Sequence, residues 1–544
     1  MNDYSICIGG QAGEGINKAG LLIGRLLGLL GYHVYMYYDY PSLIRGGHNF
    51  AILRCADHEI GAMCGKPDIV CALDQETVRR HGAGALLIYD ADVAKGEGIG
   101  IPATTIIREE GGAPIARNTI LIGAFCRATG IPPEILRGAI ANEFGKRAEE
   151  NLRLALRGYH AGEERMQIPI QKNEALPLLA GNDAIALGLI RGGLDAYVSY
   201  PMTPSSSILH TMADLAQGTP LLVLHPENEI AVITMALGLS YAGKRVAVGT
   251  SGGGFCLMNE GVSLAGMAEQ PVVIVMAMRP GPSTGMPTYS SQGDLDFVLH
   301  AGHGEFPRIV IAPGTTEEAY EWSARAMHLA WQFQVPVFVL SDKNLGEHPK
   351  STEIDPAFPV PVASVRSPRG TYARYCNTPD GISPFYPPPL TGNVVKVNSY
   401  THDDSGITTE DPGQAAAHAV KLIRKGATIE NEMVNYGCIR VDGAEEAPVA
   451  LICFGSTGEA CREIGDRLSL RVIRPIVLEP FPLAQFSDAL AGVEQMIVVE
   501  ENATGQLDSL LRSFGILSDR RIANVSGRPF HLDELDLKVR GVMQ

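Results

Sequence analysis

Four short runs hold most of the side chains able to do chemistry: YPMTPSSSI (200–208), ENE (227–229), TSGGG (250–254) and RPGPST (279–284). Glu227 and Glu229 are carboxylates at a strand-to-helix turn, where such a group can hold or move a proton. A glutamate in a first helical turn is also an ordinary partner for the helix dipole. Arg279 carries a planar fork that matches the two oxygens of a carboxylate. Thr203 followed by Pro204 predicts a helix N-cap with proline at the first helical position. The Thr203 hydroxyl and the N–H groups beyond Pro204 also suit a carboxylate, so this charge-free stretch reads as a floor for something small and anionic. A fifth run, GGQAGEG (9–15), sits between a strand and a helix, where backbone N–H groups could cradle a phosphate. Its glycines fall as GxxGxG rather than GxGxxG, and Asp39 is a loose match for the expected acid, so the dinucleotide pattern is not met. Tight turning and close helix packing account for these glycines equally well.

The elements around these runs read as α/β throughout. YSICIG is a short buried strand, INKAGLLIGRLLGLLG a helix with apolar residues at spacings of three and four, and YHVYMYY, NFAILRCA, DIVCAL and ALLIYDAD further strands. Apolar strands then alternate with helices through AYVSYP, PLLVLHP, RVAVGTSGGG, PVVIVMAMRPG, PRIVIAPG and PVFVLSD, the pattern of a parallel sheet buried on both faces. PAFPVPVASVRSPRG and SPFYPPPLTG are too rich in proline for central strands. APVALICFGS, LRVIRPIVL and MIVVEEN begin another α/β unit. The expected architecture is three parallel-sheet α/β domains at 1–172, 173–345 and 431–544, with an extended linker at 346–430 wrapping the surface. YPMTP, ENE, TSGGG and RPGPST all fall at carboxyl ends of parallel strands, where open α/β sheets bind ligands.

Composition narrows the class. A chain of 544 residues exceeds what one core supports. A formal charge of −16 with no basic stripe argues against nucleic acid. The 10 cysteines are scattered singly, with no CxxC spacing and no iron–sulfur or zinc ligand set, which fits buried reduced thiols in a cytoplasmic protein. LLIGRLLGLLG is broken by Arg25 and leads to no cleavage site, and no uncharged apolar run has membrane length.

The residues also carry a resemblance. YPMTPSSS, ENEIA, LSYAGKRVAVGTSGGGFCLMNEG and RPGPSTGMPTYSSQGDLDFVLHAGHGEFPRIVIAPGT resemble the α subunit of 2-oxoacid:ferredoxin oxidoreductases. GGQAGEG with IRGGHN (44–49) resembles the γ domain of that family, here fused in front. HDDSGITTEDP and VVEENATGQL resemble its later segments, and the γ–α order is most similar to the 2-oxoglutarate type. The resemblance implies a γ-type domain, a thiamine pyrimidine-binding domain and a transketolase C-terminal-like domain. It implies oxidative decarboxylation of a 2-oxoacid, most similar to 2-oxoglutarate, with coenzyme A, giving acyl-CoA (succinyl-CoA) and carbon dioxide. In that family Glu229 would hydrogen-bond the pyrimidine nitrogen of thiamine diphosphate, favouring the imino tautomer that removes the thiazolium proton. Gly253 would join Glu229 and Thr203 in holding the cofactor. Thr203 and Arg279 would hold the substrate carboxylate, and Ser283 and Thr284 would shape the distal pocket. Arg45, Gly46 and Gly47 would meet coenzyme A as the first domain closes over it.

Other family features are missing from the sequence. There is no GDG followed by an Asn pair, so the Mg²⁺-diphosphate half of the thiamine site must come from a β subunit. That subunit would also bring a [4Fe-4S] cluster and pass electrons to ferredoxin, in an αβ or (αβ)₂ assembly with no metal in this chain. Tyr289, Ser290 and Ser291 depart from the 2-oxoglutarate pattern before the glutamine. Two alternatives follow: the same chemistry on pyruvate, branched-chain or aryl 2-oxoacids, or a noncatalytic nucleotide- or flavin-binding electron-transfer subunit built on GGQAGEG.

Overall fold

In the computed structural model, which describes residues 2–42, 46–361, 372–389 and 394–543, the alternation of apolar strands and helices becomes three α/β sheets. The chain divides into two compact units, one of Met1–Leu179, His348–Glu353 and Phe530–Gln544, the other of Ala180–Glu347 and Ile354–Pro529.

The first unit holds an eight-stranded sheet in the order Ile99–Ile101, Leu86–Asp90, Ile69–Ala72, Asp3–Ala12, Gly46–Ala56, His33–Asp39, Lys350–Ser351, Leu178–Leu179. Helix Ile16–Leu29 covers it with Ile16, Ala19, Leu22, Ile23, Leu26 and Leu27, the apolar stripe read from the sequence. The sheet is mixed. His33–Asp39 and Asp3–Ala12 both run antiparallel to Gly46–Ala56, whereas Asp3–Ala12 is parallel to Ile69–Ala72. Only residues 40–45 join the two strands that form the hairpin, too few for a parallel crossover. The last helix, Leu532–Met543, belongs to this unit, with the Leu532 N–H donating to the Met63 carbonyl at 2.9 Å.

The second unit contains the other two sheets. One has seven strands in the order Val477–Glu479, Ile309–Ile311, Pro336–Asp342, Val272–Met278, Val246–Thr250, Ala196–Ser199, Leu222–Leu224. It is parallel except for Val477–Glu479, which runs against Ile309–Ile311. Its inner strands are buried along their whole length, the consequence of helices on both faces. The remaining sheet orders Ile439–Gly443, Arg471–Pro475, Val449–Ile452, Gln495–Glu500 and Arg520–Ala523. Between the sheets the linker is not extended to its end: Pro412–Met433 is a 22-residue helix with Asp411 accepting the Gln414 N–H as its cap. Its buried residues include Leu422, Lys425, Ile429 and Met433, an apolar face that the proline-rich flank hides from a composition reading.

The two sheets of this unit share one apolar core, in which Val310 and Phe338 lie with Ile452, Phe454 and Ile473. They also share an ion pair. Arg474 donates two parallel hydrogen bonds to Glu318, at 2.5 and 2.6 Å, and the Gly314 N–H completes the carboxylate's shell at 2.8 Å. Both side chains are largely buried. Burial pushes the Glu318 carboxyl up, but the guanidinium outweighs it and holds the group below its usual range. Removing one partner strands a buried charge, so Arg474→Met should cost about 3–5 kcal/mol in urea unfolding. Adding Glu318→Gln to it should restore most of that loss.

Candidate active site

The seven-stranded sheet reverses direction of growth at one place. After Ala196–Ser199 the chain adds Leu222–Leu224 on one side, then returns to add Val246–Thr250 on the other. A crevice opens at such a switch point, outside the carboxyl ends of the strands. The connections that leave these ends are residues 200–205, 225–228, 251 and 279–294, so the four runs singled out in the sequence share one edge of one sheet.

Glu229 is the first residue of helix Glu229–Tyr241, whose cap is Asn228 accepting the Ala231 N–H at 3.0 Å. The cap turns the carboxylate inward, leaving Glu229 4 % exposed. Among the described residues no hydrogen bond or ion pair engages that carboxylate. Room for it comes from Gly254, at the start of helix Gly252–Met267, where an added Cβ would stand 2.3 Å from both Glu229 Oε1 and Thr250 Oγ1. A largely buried glutamate whose carboxylate opens on a crevice with no donor from its own chain marks a site awaiting a ligand.

Arg279 is also buried, and its Nη1 donates to the Thr203 carbonyl at 2.7 Å. Its Nε has no partner, nor do Ser251 Oγ, Thr288 Oγ1 and Asp294 Oδ2, all buried polar atoms of these same loops. The Asp294 carboxylate lies close to Gly252, 3.0 Å from where a Cβ would stand. Burial pushes the Asp294 carboxyl up to about 6, against the pull of Arg279. Thr203 does not cap a helix as the sequence suggested. The Thr203–Pro204 peptide is cis, the helix starts at Ser206 with Ser205 before it, and the Pro204 carbonyl is held by Asn182 at 2.8 Å.

These geometric features have a counterpart in known proteins. Residues 187–421 match the family model described as pyruvate flavodoxin/ferredoxin oxidoreductase, thiamine diphosphate-binding, and residues 5–161 match pyruvate ferredoxin/flavodoxin oxidoreductase. The chain is 32% identical to the α subunit of 2-oxoacid:ferredoxin oxidoreductase 2 of Aeropyrum pernix, covering 100% of this chain and 98% of that one. It belongs to the 2-oxoacid:ferredoxin oxidoreductase family. A corresponding α subunit of Saccharolobus solfataricus is 31% identical over 99% of this chain and 97% of the relative. The solved 2-oxoglutarate:ferredoxin oxidoreductase of Magnetococcus marinus, with 2-oxoglutarate, coenzyme A and succinyl-CoA bound, superposes with a TM-score of 0.91 at 28% identity, covering 100% of both chains. The expected enzyme class and α/β fold therefore hold, and the α-subunit domain is of thiamine-diphosphate-binding type. No described helix is long and apolar enough to cross a membrane.

The other sequence candidates in this oxidoreductase α subunit divide by position. Gly253 joins the group, with Met202 Cε and the Ser283 carbonyl 3.7 and 3.8 Å from where its Cβ would be. Ser283, in a left-handed conformation at φ 56°, and Thr284 are both exposed on the loop crossing this edge. Tyr289, Ser290 and Ser291, the departures from the 2-oxoglutarate pattern, instead brace that loop from behind. The Arg528 guanidinium sits 4.7 Å from the Tyr289 ring centroid, the Ser290 N–H donates to the Gly527 carbonyl, and Ser291 Oγ donates to the Glu501 carbonyl. Arg45 lies outside the described residues, while Gly46 and Gly47 open the strand Gly46–Ala56 with Gly47 at φ 76°. The GGQAGEG loop is filled by its own acid: Glu14 Oε2 accepts the Gln11 N–H at 2.7 Å, and Arg117 bridges Glu14 and Asp90. A carboxylate in that position already accepts one of the N–H groups a phosphate would use.

Sequence reasoning overlooked Asp294 and Ser251. The acid inside QGDL was the available signal, but its meeting with Arg279 requires the loop to fold back. The raised Asp294 carboxyl makes a signed prediction. With a folded value near 6 against 3.8 unfolded, ionising it opposes folding as pH rises through this window. Asp294→Asn should gain about 2–3 kcal/mol relative to the parent between pH 4 and pH 7.5, measured by urea unfolding.

Proposed function

We propose that this chain is the catalytic α subunit, with its γ-type domain in front, of an enzyme that oxidatively decarboxylates 2-oxoglutarate. Coenzyme A is acylated to succinyl-CoA, carbon dioxide leaves, and ferredoxin takes the electrons through a β subunit. The observation that carries the reading is Glu229, a largely buried residue whose carboxylate has no partner of its own, beneath a glycine that leaves space at the crevice. A carboxylate so placed fits a ring nitrogen that shares a proton, as the pyrimidine of thiamine diphosphate does. When bound, that cofactor supplies the electron sink for decarboxylation.

The remaining roles fall to groups that this chain leaves open. Arg279, tied to Thr203 through one nitrogen only, has Nε and Nη2 left for a carboxylate. Gly253 and Thr203 line the approach to Glu229, and Ser283 and Thr284 face outward at the substrate's distal end. Arg45, Gly46 and Gly47 would meet coenzyme A. For 2-oxoglutarate as substrate, support comes from the Magnetococcus marinus enzyme and from the 2-oxoglutarate synthase subunit KorA of Archaeoglobus fulgidus, 41% identical over 33% of this chain and 52% of the relative.

A β subunit supplying Mg²⁺, the diphosphate site and a [4Fe-4S] cluster is supported by the surface next to Glu229. Helix Glu229–Tyr241 is apolar nearly all round, yet Ile230 and Met235 are about half exposed, as is Leu257 on the neighbouring helix. An apolar helix face of that kind is made to be covered. The complex is accordingly an αβ or (αβ)₂ assembly with the active site at the subunit interface.

The reading predicts that Glu229→Gln lowers 2-oxoglutarate-dependent ferredoxin reduction about 10²–10⁴-fold in an assembled complex. Turnover within threefold of the parent would assign the proton role elsewhere. Arg279→Lys should raise the apparent KM for the oxoacid more than it changes cofactor affinity, because an ammonium cannot give two parallel bonds. Assays across 2-oxoglutarate, pyruvate, branched-chain and aryl 2-oxoacids test the substrate directly: the highest kcat/KM should belong to 2-oxoglutarate.

A further inference from the structure

The HDDSGITTEDP stretch has no part in the thiamine chemistry, yet it walls a separate cavity of about 330 Å³ within the second unit, lined among others by Tyr375, His402, Asp403, Asp404, His418 and Lys421. Beneath the cavity lies a buried charged cluster. Lys421 and Lys425 both donate to the carboxylate of Glu269, and Arg374 donates to the Glu269 carbonyl at 2.6 Å. All four side chains are at most 2 % exposed, so three cations share one interior carboxylate. Lys421 uses two of its three N–H groups, on Glu269 and on the Tyr375 carbonyl.

The wall sets imidazole and carboxylate acceptors beside the amides of Asn377 and Gln414 and the hydroxyl of Ser405. His402 is 2 % exposed, its ring 3.8 Å from that of Tyr375. Its Nδ1 lies 2.8 Å from the Tyr400 carbonyl, which can only accept, so Nδ1 carries the proton. The buried Nε2 has no partner, nor has Nε2 of His418, whose ring meets that of His402 edge-on at 4.8 Å. Burial pushes both imidazoles down, His418 to about 4, so each is neutral near pH 7 and His402 Nε2 presents a lone pair. Asp403 uses Oδ1 on the Ser405 and Ile407 N–H groups, and Asp404 is exposed at the rim.

A ligand that meets the remaining Lys421 N–H and the unpartnered His402 Nε2 together brings negative charge and a hydroxyl donor. We propose that the cavity binds a protonated oxyanion, hydrogen phosphate or a small phosphate monoester, with its charge toward Lys421 and its P–OH shared between His402 Nε2 and an Asp404 oxygen. Fully ionised oxyanions such as sulfate carry no hydroxyl and meet His402 Nε2 and the Asp404 carboxylate acceptor against acceptor. A simple cation is repelled by the floor, and the described residues form no group of three ligands that could hold a metal ion.

The test is calorimetric titration of the full chain at pH 7 with inorganic phosphate, glycerol phosphate and sulfate. Saturable binding of phosphate or the monoester is expected, with sulfate at least tenfold weaker. The monoester binding tighter than phosphate identifies an organic phosphate as the ligand class, and equal affinities identify free phosphate. His402→Phe keeps a ring over Tyr375 but removes both nitrogens, and should weaken binding at least tenfold with an unchanged circular dichroism spectrum. Should it not fold, Asp404→Asn on the exposed rim gives a second reading, bringing the phosphate and sulfate affinities together. The proposal is overturned by no saturable phosphate or monoester binding, by sulfate as tight as phosphate, by a folded His402→Phe protein that binds normally, or by Asp404→Asn leaving the discrimination intact.

Discussion

Holding an ionisable carboxylate inside a fold with no donor from its own chain is costly, and the arrangement around Glu229 exists to make it possible. Three constraints meet there. Asn228 caps the helix so that Glu229 begins it, Gly254 omits the side chain that would collide with the carboxylate, and the neighbouring Thr250 ends a fully buried strand. The apolar residues that line both faces of the sheet supply the stability that offsets the strain of the site.

Rigidity in the rest of the site comes from behind. Gln292 is wholly buried and bonds both ways to the last sheet, donating to the Phe454 carbonyl and accepting the Glu501 N–H. The loop bearing Arg279 is thereby clamped between two sheets that share a core and the Arg474–Glu318 pair. A loop with this many backbone hydrogen bonds can hold a guanidinium Nε and an aspartate oxygen unpartnered without rearranging to satisfy them. Preorganised polar groups of that kind cost least when they meet charge.

The same logic of imbalance marks the second cavity. Lys421 keeps an N–H beyond those on Glu269 and the Tyr375 carbonyl, and the buried His402 Nε2 has no donor, so neither is satisfied from within the chain. The two together describe one chemical complement, a negative group that still carries a proton.

Much of this was legible in the chain itself, because hydrophobic periodicity and turn residues act locally. The alternation of apolar strands with helices, the Asn228–Glu229 helix start and the position of four polar runs at strand ends follow from near neighbours along the sequence. What lay beyond reach depended on distant partners. The approach of Asp294 to the charge of Arg279, the bridging of the glycine turn by Glu14 and Arg117, and the helix hidden behind the proline-rich flank all bring together residues with no local signal of their meeting. The hairpin that makes the first sheet mixed was implicit in a short connection, yet strand direction is decided only when both strands find their neighbour. Sequence by itself determined which elements form and which residues could do chemistry. Only the tertiary structure decided which carboxylates and imidazoles would be buried without a partner, because burial and pairing are properties of the packed whole.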